Sequence, residues 1–122
     1  AGSIEGRIVN VGSIVGLVPA GHLTAYAASK AGLLHLTRTM AVELARYRIR
    51  VNALAPGYFG TELNATFFDS DAGRAMLARV PLRRLGDPHE LDAPLLLLAS
   101  KASSFITGSV VTVDGGHSIH PL

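Results

Sequence analysis

The apolar positions of the chain fall into short β-branched runs separated by longer stretches of helical character. Ile8-Val9-Asn10-Val11, between Gly6 and Gly12, predicts a strand. Gly12 to Gly21, with Pro19 and three glycines, predicts a loop. Thr24 to Tyr47 contains no proline, and its one glycine, Gly32, weakens a helix only modestly, so a single long helix is expected. Its small and apolar residues, such as Ala27, Ala31, Leu34, Leu36, Ala41 and Leu44, lie on more than one face. The expectation is burial on several faces, one against a sheet and another against a partner subunit. Arg50 to Leu54 predicts a second strand, stopped by Pro56-Gly57. Residues 57–80 are less regular, with Tyr58, Phe59, Phe67 and Phe68, the polar patch Asp69-Ser70-Asp71, and a short helical pattern from Ala72 to Arg79. Asp87, Pro88 and Glu90 form a helix-start signature for a helix running to Ala99. Pro94 lies inside that helix, where it is expected to cost about 3 kcal/mol unless a kink relieves it. Ser109 to Val113 predicts a third strand, closed by Asp114-Gly115-Gly116.

The order strand, helix, strand, helices, strand predicts an α/β fold with parallel strands and right-handed helical crossovers. The strands are continuous apolar runs rather than strict alternations, as expected for a sheet covered on both faces. The chain shows no internal repeat and no low-complexity segment.

Composition narrows the classes. A length of 122 residues suits one domain, and 48% hydrophobic with 16% charged residues is the balance of a folding chain. The net charge is only +2, and no Lys/Arg cluster carries interleaved aromatics, so nucleic acid is not an expected partner. Without cysteine there is neither a disulfide nor a thiolate-ligated metal. The longest apolar run, Ala93 to Ala99, is far short of the roughly 20 residues that a membrane span needs. No signal-peptide pattern opens the chain, and a cytoplasmic location without membrane contact is the expectation. Ile4-Glu5-Gly6-Arg7 matches a protease recognition site used in fusion proteins, or is a native turn into the first strand; residues 1–6 carry no functional weight.

The candidate chemistry begins with Tyr26 and Lys30, four apart and therefore on one helix face. A tyrosine ordinarily titrates near pH 10, and a neighbouring ammonium favours the phenolate, so such a pair can move a proton to or from a substrate oxygen. Alone, the spacing is also that of an ordinary surface pair. Ser13 follows the first strand directly, at the end where ligands sit in open α/β sheets. Its hydroxyl is placed to donate to a carbonyl oxygen, or is simply a turn residue. Ser13 lies in Val-Gly-Ser-Ile-Val rather than a Gly-x-Ser-x-Gly elbow, and His22 and His35 have no evident acidic partner, which argues against a serine nucleophile. His117 and His120 lack further ligand partners, so no metal site is expected.

Five blocks, in order, resemble the classical short-chain dehydrogenase/reductase family. They are Gly6-Arg7-Ile8-Val9-Asn10-Val11-Gly12-Ser13, Tyr26-Ala27-Ala28-Ser29-Lys30-Ala31-Gly32, Arg50-Val51-Asn52-Ala53-Leu54-Ala55-Pro56-Gly57, Phe105-Ile106-Thr107-Gly108 and Val113-Asp114-Gly115-Gly116. The thirteen-residue step from Ser13 to Tyr26 also matches, and the nearest branch is that of the 3-oxoacyl-carrier-protein reductases. The resemblance implies a Rossmann-like, doubly wound parallel sheet and an oxidoreductase using NAD or NADP on a carbonyl or alcohol. It implies Tyr26 as general acid/base, Lys30 as its electrostatic partner and ribose ligand, and Ser13 as the group polarising the carbonyl. Pro56, Gly57 and Thr61 would line the nicotinamide end. Residues 57–80 would form a substrate lid, with Phe59, Phe67 and Phe68 either in an apolar pocket or in plain packing. Asn52 is open to a structural reading, bonding neighbouring backbone.

Whole members of that family are about twice this length. No Gly-x-x-x-Gly-x-Gly phosphate loop precedes Ser13, and the family's catalytic asparagine and its cofactor-selecting residue are absent. The expectation is therefore residues 1–122 as the C-terminal catalytic half of one Rossmann domain, with about three strands and their crossover helices. Such a chain is expected to be inactive alone and to pair with an N-terminal half or with itself, through a bare sheet edge or the 24–47 helix. The competing expectation is a non-catalytic assembly fragment that binds no cofactor.

Overall fold

The structure, a computed structural model, describes residues 5–120. The protease-site motif therefore lies partly outside the described residues. Three parallel strands, β1 (Gly6–Val11), β2 (Ile49–Pro56) and β3 (Val110–Val113), form one sheet in the order β1-β2-β3. Gly6 pairs with Ile49 and Val11 with Leu54, while Ala53 pairs with Val110 and Pro56 with Val113. β2 runs two residues beyond the expected Leu54. Proline is tolerated there because Pro56 is the strand's last residue, and the ladder continues through Gly57, whose N–H donates to the Val113 carbonyl at 3.0 Å.

The connections are helical, as expected. Helix α1 (Thr24–Leu44) joins β1 to β2 and ends in a 3-10 turn at Ala45–Tyr47, after which Arg48 takes a left-handed conformation with φ 59°. Between β2 and β3 lie α2 (Ala65–Phe68), α3 (Asp71–Leu77) and α4 (Asp92–Ala99). Ser70 caps α3, its hydroxyl accepting from the Gly73 N–H at 3.1 Å.

Strand alternation places the two helical layers on opposite faces. Asn10 donates to the Thr37 hydroxyl of α1 at 3.0 Å, and its register partner Ala53 shares that face. Arg50 and Asn52, one residue out of phase, face the other layer. The Arg50 guanidinium donates to the Ser100 carbonyl at 2.9 Å and to the Ser103 carbonyl at 2.7 Å. The Asn52 amide donates to the Ile106 carbonyl at 3.0 Å and accepts from the Ser109 N–H at 2.9 Å. Asn52 thus takes the structural role left open for it. The core is centred on β2, where Val51 to Ala55 are all buried.

One sequence expectation is corrected. The expected helix from Asp87 to Ala99 is a 3-10 turn at Pro88–Leu91 followed by α4. Asp87 and Glu90 do form the reciprocal capping box, but it opens the 3-10 turn. Pro94 consequently sits in the first turn of α4, where backbone N–H groups have no intrahelical acceptor, so the expected penalty does not arise. Helix α1 buries a single stripe, Leu34, Thr37 and Ala41, while Leu36 and Val42 stay exposed.

Candidate active site

The C-terminal ends of β1 and β2 lie level with each other, because Val11 is in register with Leu54. Ser13 leaves β1 after Gly12, whose N–H donates to the Leu54 carbonyl at 2.8 Å. Its backbone is extended, and its hydroxyl oxygen accepts from the Val15 N–H at 3.2 Å, capping a 3-10 turn at Ile14–Gly16. A hydroxyl that accepts in this way still has its proton to donate. Ile14 and Val15 are buried and fix the turn.

Tyr26 and Lys30 lie in the first two turns of α1. Their spacing brings them together as expected, with Lys30 Nζ 5.6 Å from the centroid of the Tyr26 ring. Lys30 also donates to the Val11 carbonyl at 3.2 Å. The tyrosine is 48% exposed, so its phenol is reachable from outside. Helix, turn and strand end therefore converge, and Ser13, Tyr26 and Lys30 all sit on elements that meet at the carboxyl end of β1.

The other candidates are spread more widely. Gly57 lies against the end of β3, where an added Cβ would stand 2.7 Å from the Asp114 Cβ. Thr61 is in a reciprocal turn with Asn64, its N–H donating to Asn64 Oδ1 at 2.9 Å and its hydroxyl accepting from the Asn64 N–H at 3.3 Å. Phe59 lines a cavity of about 520 Å³ together with Tyr58, Leu82, Leu85, Thr112 and Gly115. The ring fits there because Gly86 has no Cβ, which would stand 2.4 Å from Phe59 Cε1. Phe67 and Phe68 do not line this cavity; they stack edge-on at 5.0 Å, and Phe68 is buried beneath Tyr58. None of Ser13, Tyr26 and Lys30 lines it either.

The cavity wall also carries charged groups, Arg84, Glu90 and Asp114, that the sequence reading placed in no site. Arg84 and Glu90 form a two-pronged pair on its wall, at 2.6 and 2.9 Å. The Arg84 hydrogen bonds, aided by the Asp87 N–H, hold the Glu90 carboxyl down at about 2. The same pairing raises Arg84. For Asp114, burial pushes the carboxyl up, but hydrogen bonds from Ser118 and Gly116 outweigh it and leave it below its ordinary value. Burial lowers His117, whose ring packs 5.6 Å from that of Tyr58 and whose Nδ1 has no partner among the described residues. Only the six-residue step from Arg84 to Glu90 across a capping box hinted at any of these. Among the described residues no three His, Asp or Glu side chains are grouped to hold a metal, and no helix is long and apolar enough to cross a membrane.

Known proteins resemble this chain in sequence and fold. The family model for enoyl-(acyl carrier protein) reductases matches residues 2–118. The chain belongs to the short-chain dehydrogenase/reductase family. The 3-oxoacyl-[acyl-carrier-protein] reductase FabG of Thermotoga maritima is 47% identical over 112 residues, covering 92% of this chain and 45% of the relative. Among solved short-chain dehydrogenase/reductase structures, a gluconate 5-dehydrogenase from Burkholderia cenocepacia, in complex with NADP and tartrate, superposes with a TM-score of 0.88 at 39% identity. It covers 94% of this chain and 46% of that one. A 4-hydroxyisoleucine dehydrogenase complexed with NADH superposes with a TM-score of 0.90 at 37% identity, covering 97% of this chain and 49% of that one. The chain thus spans about half the length of the proteins it matches.

Proposed function

We propose that this chain is the C-terminal catalytic half of a Rossmann domain in an NAD(P)-dependent oxidoreductase that interconverts a carbonyl and an alcohol. The carrying observation is the convergence of Tyr26 and Lys30 on the end of β1, with Lys30 at once over the tyrosine ring and hydrogen-bonded to Val11. Tyr26 is the proton donor and acceptor at the substrate oxygen. The ammonium of Lys30 stabilises negative charge on the phenolic oxygen as the proton moves. Ser13, its oxygen already engaged by the Val15 N–H, donates its own proton to the substrate carbonyl and holds the developing charge.

The residues fit a nicotinamide cofactor at one end only. Lys30 supplies a donor for a ribose hydroxyl, Pro56 and Gly57 leave the C-terminal end of β2 level with Ser13, and the Thr61 hydroxyl keeps a proton to donate. The nicotinamide, when bound, supplies or takes the hydride. No Gly-rich loop entering a helix stands ready among the described residues for the pyrophosphate, so an N-terminal half would have to provide it. Relatives complexed with NADP and with NADH leave either cofactor in play. Phe59, with Phe67 and Phe68 of α2, belongs to residues 57–80, the lid beside the substrate. Association through α1 accounts for its exposed apolar faces, and a cytoplasmic location goes with the chemistry.

Tyr26→Phe in the protein carrying this chain is the deciding variant. Hydride transfer from NADH or NADPH should fall by about 10²-fold or more with folding intact, and unchanged turnover would remove the assignment. The chain by itself, titrated with NADH and NADPH, should give no tight change in nicotinamide fluorescence.

A further inference from the structure

We propose that Gly16 is a positioning residue for the Ser13–Tyr26–Lys30 group, setting how closely the serine-bearing turn lies on the helix that carries Tyr26 and Lys30. The inference rests on the proposed roles of Ser13 and Tyr26. Gly16 is not among the glycines with positive φ, which are Gly108, Gly115 and Gly116. Its backbone would accept any residue, so what requires glycine is space. A Cβ there would stand 2.8 Å from the Lys30 carbonyl carbon, 2.9 Å from the Ala31 nitrogen and 3.0 Å from the Lys30 oxygen. These are backbone atoms of a helix interior and cannot swing aside.

The turn cannot yield locally either. Gly16 donates to the Ser13 carbonyl at 3.0 Å, Val15 to the Ser13 hydroxyl at 3.2 Å, and Leu17 and Val18 both donate to the Ile14 carbonyl at 2.9 Å. With Ile14 and Val15 buried, the turn moves as a unit. A side chain at position 16 therefore lifts Ser13 away from the helix that carries Tyr26. Gly12 makes a useful contrast. The nearest atom to its added Cβ is a methyl of Leu34 at 2.7 Å, the free end of a flexible side chain.

A double-mutant cycle separates positioning from mere stability. Gly16→Ala should lower kcat by about 10²-fold, as expected when reacting groups are misplaced by about 1 Å. The KM for NADH or NADPH should change by less than about threefold. In a Ser13→Ala protein the same substitution should lower kcat by no more than about twofold, because the group it displaces is already gone. All variants are also made with Gly32→Ala, which meets nothing within 4 Å and strengthens α1. The loss should persist there. Equal losses with and without Ser13, or a loss that vanishes on the stabilised background, overturn the proposal. If Gly16→Ala does not fold, Ile14→Val, a milder loosening of the same turn, goes through the same cycle, and additivity there overturns it equally. If Tyr26→Phe retains turnover, the underlying reading fails instead, so the two failures are distinguishable.

Discussion

Lys30 Nζ donates to the Val11 carbonyl at 3.2 Å, tying the second turn of α1 to the last residue of β1. The same ammonium lies 5.6 Å from the Tyr26 ring centroid. One half-buried side chain therefore has two separable features, a tie and a charge. Its hydrogen bond is solvent-accessible and contributes about 1 kcal/mol or less to folding. In the proposed mechanism its charge beside the phenol acts on the proton transfer.

Lys30→Met should consequently leave the urea midpoint of the protein carrying this chain nearly unchanged while lowering kcat by about 10²-fold or more. Comparable losses in both would show that Lys30 is chiefly a structural tie.

Asn52 behaves in the opposite way. It is 1% exposed and satisfies two backbone groups of the segment leading into β3, the Ile106 carbonyl and the Ser109 N–H. Asn52→Ala leaves the half-buried Ser109 N–H without a partner and the Ile106 carbonyl with only the 3.3 Å bond from Arg50, which should cost about 1–3 kcal/mol. Urea unfolding measures this directly. A loss below about 1 kcal/mol would mean that water replaces the amide.

The contrast between these residues shows what the sequence makes legible. The strands, the long helix and the pairing of Tyr26 with Lys30 follow from local rules: β-branched runs, a proline-free stretch and a four-residue step. Asp87, Pro88 and Glu90 are readable as a cap, but not as the cap of a 3-10 turn, because the signature is common to both kinds of first turn. The seating of Ser13 depends on Gly12 and Gly16 meeting Leu34 and Lys30, contacts between segments that no local pattern encodes. The wall formed by Arg84, Glu90 and Asp114 arises only when the end of β3 folds against residues 81–86.

Gly32 offers a test of the helix itself. It lies inside α1, is not a positive-φ glycine, and an added Cβ meets nothing within 4 Å. Gly32→Ala should therefore stabilise the protein by about 1 kcal/mol through backbone entropy alone. A rise in Tm with unchanged turnover is expected. A fall in Tm would mean that another surface covers this face of α1, which bears on the proposed association through that helix.

The Arg84–Glu90 pair predicts a pH dependence whose sign can be worked out. Glu90 is held at about 2 in the folded chain against an ordinary 4.5. Between those values the unfolded chain binds more protons than the folded one, so stability falls as the pH falls. The contribution is complete above about pH 4.5 and is lost as the pH drops toward 2. Both groups are exposed, so the effect is small and screened by salt. Glu90→Gln keeps an oxygen for the Asp87 N–H while removing the charge and one of the two acceptors for Arg84. Melting curves of the two proteins should differ at pH 6, converge by about pH 2, and differ less in about 1 M salt. A gap that does not change with pH would show that Glu90 acts through the cap and not through Arg84.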